Sequence, residues 1–343
     1  MEVVQQDHFD RLPDALLLLI FNKLLDVKAL SRCLSVCKRF SSLIPQTNAL
    51  FVSIPPRIPA SKPGNGLCLA SLRIFFNRVF TKPFKHCRRI VASKSPSSKS
   101  SNVHHSFINV LKKFEDVKFI HIQFPFYGSG IDLVGGDCLV KWKAEFGGQL
   151  KSCIILGATS YFLAKVKELQ EQEQEEERFL TDDELRVRII WTISCLIAAS
   201  ARHHFLKKIL LDHPNLESVV ISDEQKQGKL CMGREELVEM RACMEPFAAS
   251  KPLLIERTKV PDLSIKLSYA PELELPVSGY RMRGATLVVI RPVDGDLMRK
   301  GLSDGELLGS GFDGDHGEDK VFAEAVGEMM KMKKSYVMTM NSF

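Results

Sequence analysis

Few stretches of the chain bring together residue types that could do chemistry, and each lacks part of what that chemistry needs. Gly309-Ser-Gly311-Phe-Asp-Gly314 has the form G-x-G-x-x-G, whose glycines let a backbone approach a pyrophosphate when a strand leads in and a helix begins within it. Here GELL precedes it, and Asp313, Asp315, Glu318 and Asp319 would repel phosphate, so it reads as a linker. Asp313, Asp315 and Glu324 are spaced like an EF-hand loop, yet the sixth place, which needs glycine, is Glu318. Cys33 and Cys37 lie one helical turn apart with no second pair of ligands, and the adjacent pairs His104-His105 and His203-His204 point apart, so no zinc site is expected. Asp182, Asp183 and Glu184 could act as paired carboxylates, but after Thr181 they match a capping box. There is no Gly-x-Ser-x-Gly elbow, and the Cys and His positions, His86-Cys87 included, carry no local protease signature. No catalytic residue, cofactor or metal is expected.

The 343 residues are 45% hydrophobic and 26% charged, with net charge +6. That composition excludes a disordered chain, a collagen-like repeat and a coiled-coil rod, and the length suggests two domains. The opening MEVVQQDHFD is acidic and polar rather than a signal-peptide pattern. The longest uncharged apolar run, residues 189–201, is shorter than the roughly 20 residues a bilayer span requires; a buried helix is expected there, and no membrane association. Nine scattered cysteines without a Cys-x-x-Cys pair, and no Asn-x-Ser/Thr sequon, point to a reducing nuclear or cytoplasmic compartment.

Residues 8–46 read as a compact helical unit. Pro13 suits a helix start beside Asp14, Asp26 suits the N-cap of a second helix, and Pro45 ends a third. Residues 51–66 are rich in Pro, Ser and Gly and read as a linker. From there to about residue 300 helical and strand patterns alternate: residues 72–80 as a buried element, 93–102 as a low-complexity loop, and strands at 117–124, 152–158, 218–222, 263–269 and 284–292. Helices are expected at 185–200, 234–244 and 321–333, and a solvated glutamate-rich stretch at 168–177. Residues 301–319 read as a flexible acidic linker and 320–343 as a C-terminal helix and tail. Phe114-Glu-Asp-Val117-Lys-Phe119, Leu150-Lys-Ser-Cys153-Ile-Ile155 and Leu216-Glu-Ser-Val219-Val-Ile221 echo the strand half of a leucine-rich repeat, at spacings far from the usual repeat length. The fold class is therefore α/β: a small three-helix module of residues 1–50, then an α/β domain over 67–300 that is either a degenerate leucine-rich solenoid or a compact domain without true repeats.

Residues 16–21 are six consecutive apolar residues. They cover every direction around a short helix that two further short helices can bury on one side only, which leaves a patch either for a partner or for the C-terminal domain folding back onto it. Leu12-Pro13-Asp14-Ala-Leu16, then Ile20-Phe21, Leu24, Asp26-Val-Lys28-Ala-Leu30 and Val36-Cys37-Lys38-Arg39-Phe40 with Leu43 resemble the F-box pattern in order and spacing. The departure is Phe40, where that pattern more often has Trp. The resemblance implies a module that docks on the Skp-type adaptor of a cullin-RING ubiquitin ligase. It further implies that Leu12, Pro13, Leu16, Ile20, Leu24, Leu30, Val36, Cys37 and Phe40 divide between the adaptor interface and the module's own core. Lys141-Trp-Lys-Ala-Glu-Phe-Gly147, Ser152-Cys-Ile-Ile-Leu-Gly-Ala-Thr-Ser160 and Tyr280-Arg-Met-Arg-Gly-Ala-Thr-Leu-Val-Val-Ile-Arg-Pro292 resemble the auxin up-regulated F-box type of plants. That resemblance implies a non-catalytic subunit that presents an unidentified protein substrate for ubiquitination in a hormone response.

One feature stays outside this account. Between Asp26 and Glu115 there is no acidic residue but sixteen Lys or Arg, and in residues 57–113 Arg73, Arg78, Lys82, Lys85, Arg88 and Arg89 interleave with Phe75, Phe76, Phe80 and Phe84. Such a pattern suits single-stranded nucleic acid, an acidic protein partner or a solvated basic face, and Lys85-His-Cys-Arg-Arg89 suits part of a nuclear import signal. Nucleic-acid or transcription-associated binding is the alternative to the ligase reading; no recognised nucleic-acid motif accompanies the segment.

Overall fold

The computed structural model describes residues 8–54, 109–125, 139–163, 180–244, 257–293 and 317–343. The N-terminal unit is three helices, α1 (Asp14–Leu24), α2 (Val27–Cys33) and α3 (Lys38–Leu43). Pro13 occupies the N-cap of α1, one place ahead of the first helical turn, where Asp14 complements the helix dipole. Leu25 ends α1 at φ 57°, a left-handed conformation that lets its N–H return to the Phe21 carbonyl. The Asp26 carboxylate then accepts from the Lys28 and Ala29 amides at 3.4 and 3.1 Å and starts α2. At α3 the Cys37 thiol takes the cap, accepting from the Phe40 amide.

Ten strands form one sheet in the order β1-β2-β6-β7-β3-β4-β9-β8-β10, with β5 paired to β9 beside that path. They are β1 (Ala49–Ser53), β2 (Phe119–Phe124), β3 (Leu139–Phe146), β4 (Leu150–Ala158), β5 (Ser160–Leu163), β6 (Ser218–Asp223), β7 (Gly228–Met232), β8 (Leu263–Leu275), β9 (Tyr280–Pro292) and β10 (Tyr336–Met340). β1, β2 and β6 run parallel, as do β3 and β7; the remaining pairs are antiparallel.

This order decides between the two α/β architectures. Of the three echoing segments, those leading into β2 and β6 lie side by side and parallel, with Ile120 opposite Val219. The third leads into β4, and β7 and β3 stand between it and β6. A solenoid stacks each repeat on its neighbour in sequence, so the domain is not a leucine-rich solenoid. The residue-50 boundary also moves: β1 crosses it, because Leu50, Val52 and Ile54 alternate into the core. The C-terminal tail forms the edge strand β10 rather than trailing from the helix. Residues 72–80, 93–102, 168–177 and nearly all of 301–319 lie outside the described residues.

Helix α4 (Asp182–Asp212) begins at the expected capping box, with Thr181 and Glu184 exchanging side-chain and backbone bonds. It runs 31 residues, well past residue 200, and by length and composition alone it could cross a membrane. Its Trp191, Cys195, Leu196, Ala199, Leu206 and Leu210 instead lie along one face and are buried in the principal core with β3, β6 and the N-terminal helices. The fit is close: a Cβ on Gly157 would come 2.7 Å from the Trp191 ring. Helix α5 (Arg234–Cys243) joins the same core through Leu237 and Met240. The other sheet face forms a second core, where Phe322, Ala325 and Met329 of α6 (Gly317–Met330) pack on Leu273, Met282 and Leu287.

Within α4, His203 is fully buried, stacked on Phe146 at 4.4 Å. Its Nε2–H donates to the Gly147 carbonyl at 3.0 Å and Nδ1 accepts from the Thr258 hydroxyl at 2.7 Å. Burial pushes its pKa down to about 4 from 6.5, and burial also lowers those of His121 and His213. A depressed histidine pKa means that the unfolded chain takes the proton first. Stability should therefore be level from pH 6.5 to about 8 and fall as pH drops toward 4, with His203 alone contributing about 3 kcal/mol of the loss. Urea midpoints at pH 7.5, 6, 5 and 4.5 measure this, and His203→Gln should flatten the profile.

Candidate functional site: an exposed apolar stripe on the first helix

Helix α1 is apolar nearly all round, yet only one side enters the core. Leu17 and Phe21, one turn apart, are 0% and 4% exposed, and Val27 and Leu30 of α2 and Leu43 and Ile44 pack in the same core. Leu16, Leu19, Ile20 and Leu24 face outward at 48%, 58%, 43% and 42% exposure. Their i, i+3, i+4, i+8 spacing makes a single stripe. Isolated exposed leucines are ordinary, but a contiguous stripe of four on one helix is the signature of a partner interface.

The nine residues named from the sequence separate accordingly. Pro13, Leu16, Ile20, Leu24, Val36 and Cys37 are exposed; Leu12 and Phe40 are half-buried; Leu30 is wholly buried and supports the module from within. Phe40 sits edge-on between Phe9 and Phe21, with ring centroids 5.9 and 5.1 Å away. Its ring closes the space between the helices, the place that the larger Trp more often takes in the pattern. Leu19, Leu25 and Phe9 add exposed apolar surface that the motif did not single out; helical spacing from Leu16 would have found Leu19.

Arg39 is the residue that sequence reasoning passed over. Its guanidinium donates to the Phe9 and Leu12 carbonyls and to the Asp14 carboxylate, with Nε–Oδ1 at 2.8 Å. One planar fork thus holds the segment that carries Leu12 and Pro13 against α3. Asp14 is largely exposed, so the ion pair adds little stability; its effect is orientation.

Backbone bonds hold the module to the sheet. The Pro45 carbonyl accepts from the amides of Glu115 and Asp116, and the Asn48 carbonyl from those of Lys118 and Phe119. The Asn48 amide donates to Asn22 Oδ1 at 2.7 Å, and the Phe51 amide to the Leu25 carbonyl at 2.8 Å. Of the basic segment 57–113, residues 57–108 lie outside the described residues; Lys112 pairs with Asp212 at 3.2 Å.

A three-helix module with an apolar outer stripe, fused to a mixed α/β domain, is the architecture of an F-box protein. The F-box-like family model matches residues 9–54, ending one residue past β1. The chain is 38% identical to the F-box protein At4g18380 of Arabidopsis thaliana over 98% of this chain and 94% of that one. It is 34% identical to F-box protein AUF2 and 31% to F-box protein AUF1 of the same plant, over 98% of this chain and all of theirs. No solved structure matches the chain. The chain belongs to the F-box proteins, with members of the auxin up-regulated type among its full-length relatives.

The division of α1 separates two kinds of substitution. Leu17→Ala and Leu30→Ala remove buried side chains and should each cost about 2–5 kcal/mol. Leu16→Glu and Ile20→Glu alter the outward stripe and should change stability by no more than about 0.5 kcal/mol. Denaturant melts of the four variants distinguish the classes.

Proposed function

We propose that this chain is the substrate-recognition subunit of an SCF ubiquitin ligase. F-box proteins generally act in that role, bound to a Skp-type adaptor. The observation that carries the reading is the outward stripe of Leu16, Leu19, Ile20 and Leu24, flanked by exposed Pro13 and Val36. In this reading the stripe is buried against the adaptor, which links the chain to cullin and RING subunits, while the α/β domain holds the target. The α1–α3 unit carries no group that must react. The contribution is position: a target lysine is held near the conjugating enzyme at a raised effective concentration. The names of two relatives point to auxin-responsive expression, and we place the function in a hormone response, in the nucleus, the cytoplasm or both.

Pull-down with a Skp-type adaptor and cullin tests the reading. Wild type should co-purify with both, and the double variant Leu12→Ala/Pro13→Ala should lose the adaptor while remaining folded, truncation of the half-buried Leu12 lowering its melting temperature by only a few degrees. Equal recovery of the double variant, or no recovery of wild type, overturns the assignment.

A further inference from the structure

A cleft of about 680 Å³ opens on the second sheet face between β5, the turn joining β8 to β9, and α6. Three rings line it: Tyr161 lies 5.9 Å from Tyr280 and 6.4 Å from Phe322, centroid to centroid. Beneath them the Lys141 ammonium sits 3.9 Å from the Phe322 ring centroid, which fixes that ring. Val277 stands at the lip, 89% exposed.

The polar groups of the cleft are unequally engaged. Both Glu324 carboxylate oxygens accept backbone N–H groups of the turn, from Val277 at 2.6 Å and Ser278 at 2.9 Å, so that charge is already satisfied. Lys320 is exposed on the same wall, and no ion pair engages it among the described residues. The Ser278 hydroxyl is buried with no hydrogen-bond partner, a state that a bound acceptor would relieve. The strand at the rim is also incomplete: β5 pairs with β9 on one side and with no other described strand. An open strand edge beside an apolar cleft is the geometry in which an extended segment adds by backbone pairing and inserts a side chain.

We propose that this cleft binds an extended segment of the target protein, an aromatic side chain packing on the accessible surface of Tyr161, Tyr280 and Val277 at the cleft mouth and a neighbouring Asp or Glu pairing with Lys320. The volume is that of a small-ligand pocket and admits a side chain together with its neighbours, and the exposed Lys320, in no ion pair among the described residues, favours an acidic neighbour. The identification of the segment as a target's rests on the receptor reading above.

Calorimetric titration of the full chain with acetyl-Asp-X-Asp-amide peptides, X being Phe, Tyr, Trp or Ala, tests the proposal. Saturable binding of at least one aromatic peptide is expected, with the alanine peptide and lysine-for-aspartate versions at least about tenfold weaker. Lys320→Glu should weaken binding about tenfold, and Tyr161→Ala should weaken it comparably; Lys320 is exposed and Tyr161 partly buried against Tyr280 and Phe322, and a cooperative melt within a few degrees of wild type shows the fold intact for each. Absence of binding by every aromatic peptide, or binding indifferent to both substitutions, overturns the proposal. Adaptor pull-down of the same proteins separates the two readings. A wild type that holds the adaptor but no peptide refutes the cleft alone, and one that binds peptide but not the adaptor refutes the receptor role alone.

Discussion

The amide of Phe51 donates to the carbonyl of Leu25, and that bond makes one strand serve two units. On its inner side β1 pairs residue for residue with β2, from Ala49 opposite Phe119 to Ser53 opposite Gln123. On its outer side it meets the junction of α1 and α2, where Asp26 bridges Phe51. A parallel edge strand left bare would recruit another chain's strand; here the three-helix module covers it. The same contact removes any hinge between module and sheet, because β1 is at once the last element of one and the first strand of the other.

That rigidity gives the division of α1 its meaning. Leu17 and Phe21 spend their apolar surface on the shared core, while Leu16, Leu19, Ile20 and Leu24 leave 42–58% of theirs in water. At about 25 cal/mol per Å², the stripe is a store of association free energy rather than of stability. Arg39 preserves its shape by holding the Phe9–Asp14 entry, and Phe40 fills the space behind it. Folding and docking thus draw on opposite sides of one short helix, and residues such as Leu30 that belong to the motif serve the first.

What the sequence disclosed were the features set by local chemistry. The Asp26 cap, the Thr181 capping box and the stop at Pro45 each depend on residues within a few positions, and each is found. β2 was legible from its apolar alternation and β6 from its short apolar run. β3 was not, because its alternate positions are Lys141 and Lys143, residues that usually mark a solvated face, yet both are only 5% exposed; Lys141 lies on the Phe322 ring and Lys143 pairs with Glu145 at 3.1 Å. Sheet order was equally out of reach, since β2 meets β6 across about a hundred residues and β10 meets β8 after the whole of β9 and α6. The apolar stripe could be foreseen as a patch, but which leucines would face in and which out follows from where α2, α3 and the Ile44–Gln46 turn press on α1.

The sheet order also fixes how far the two ends of the molecule stand apart. The module caps β1, and the cleft lies at β9; the path β1-β2-β6-β7-β3-β4-β9 crosses six strand spacings. At about 4.8 Å each, the separation is roughly 29 Å along the sheet. A pleated sheet resists bending in its own plane, and β1 transmits no hinge, so a segment bound at the cleft would keep its distance and direction from anything docked on α1. A flexible tether would spread the same target over a far larger volume, at a lower effective concentration near any single point. The buried lysines of β3 lie between the two ends, Lys141 against Phe322 of α6 and Lys143 paired with Glu145, and add nothing to the apolar core that the N-terminal helices share.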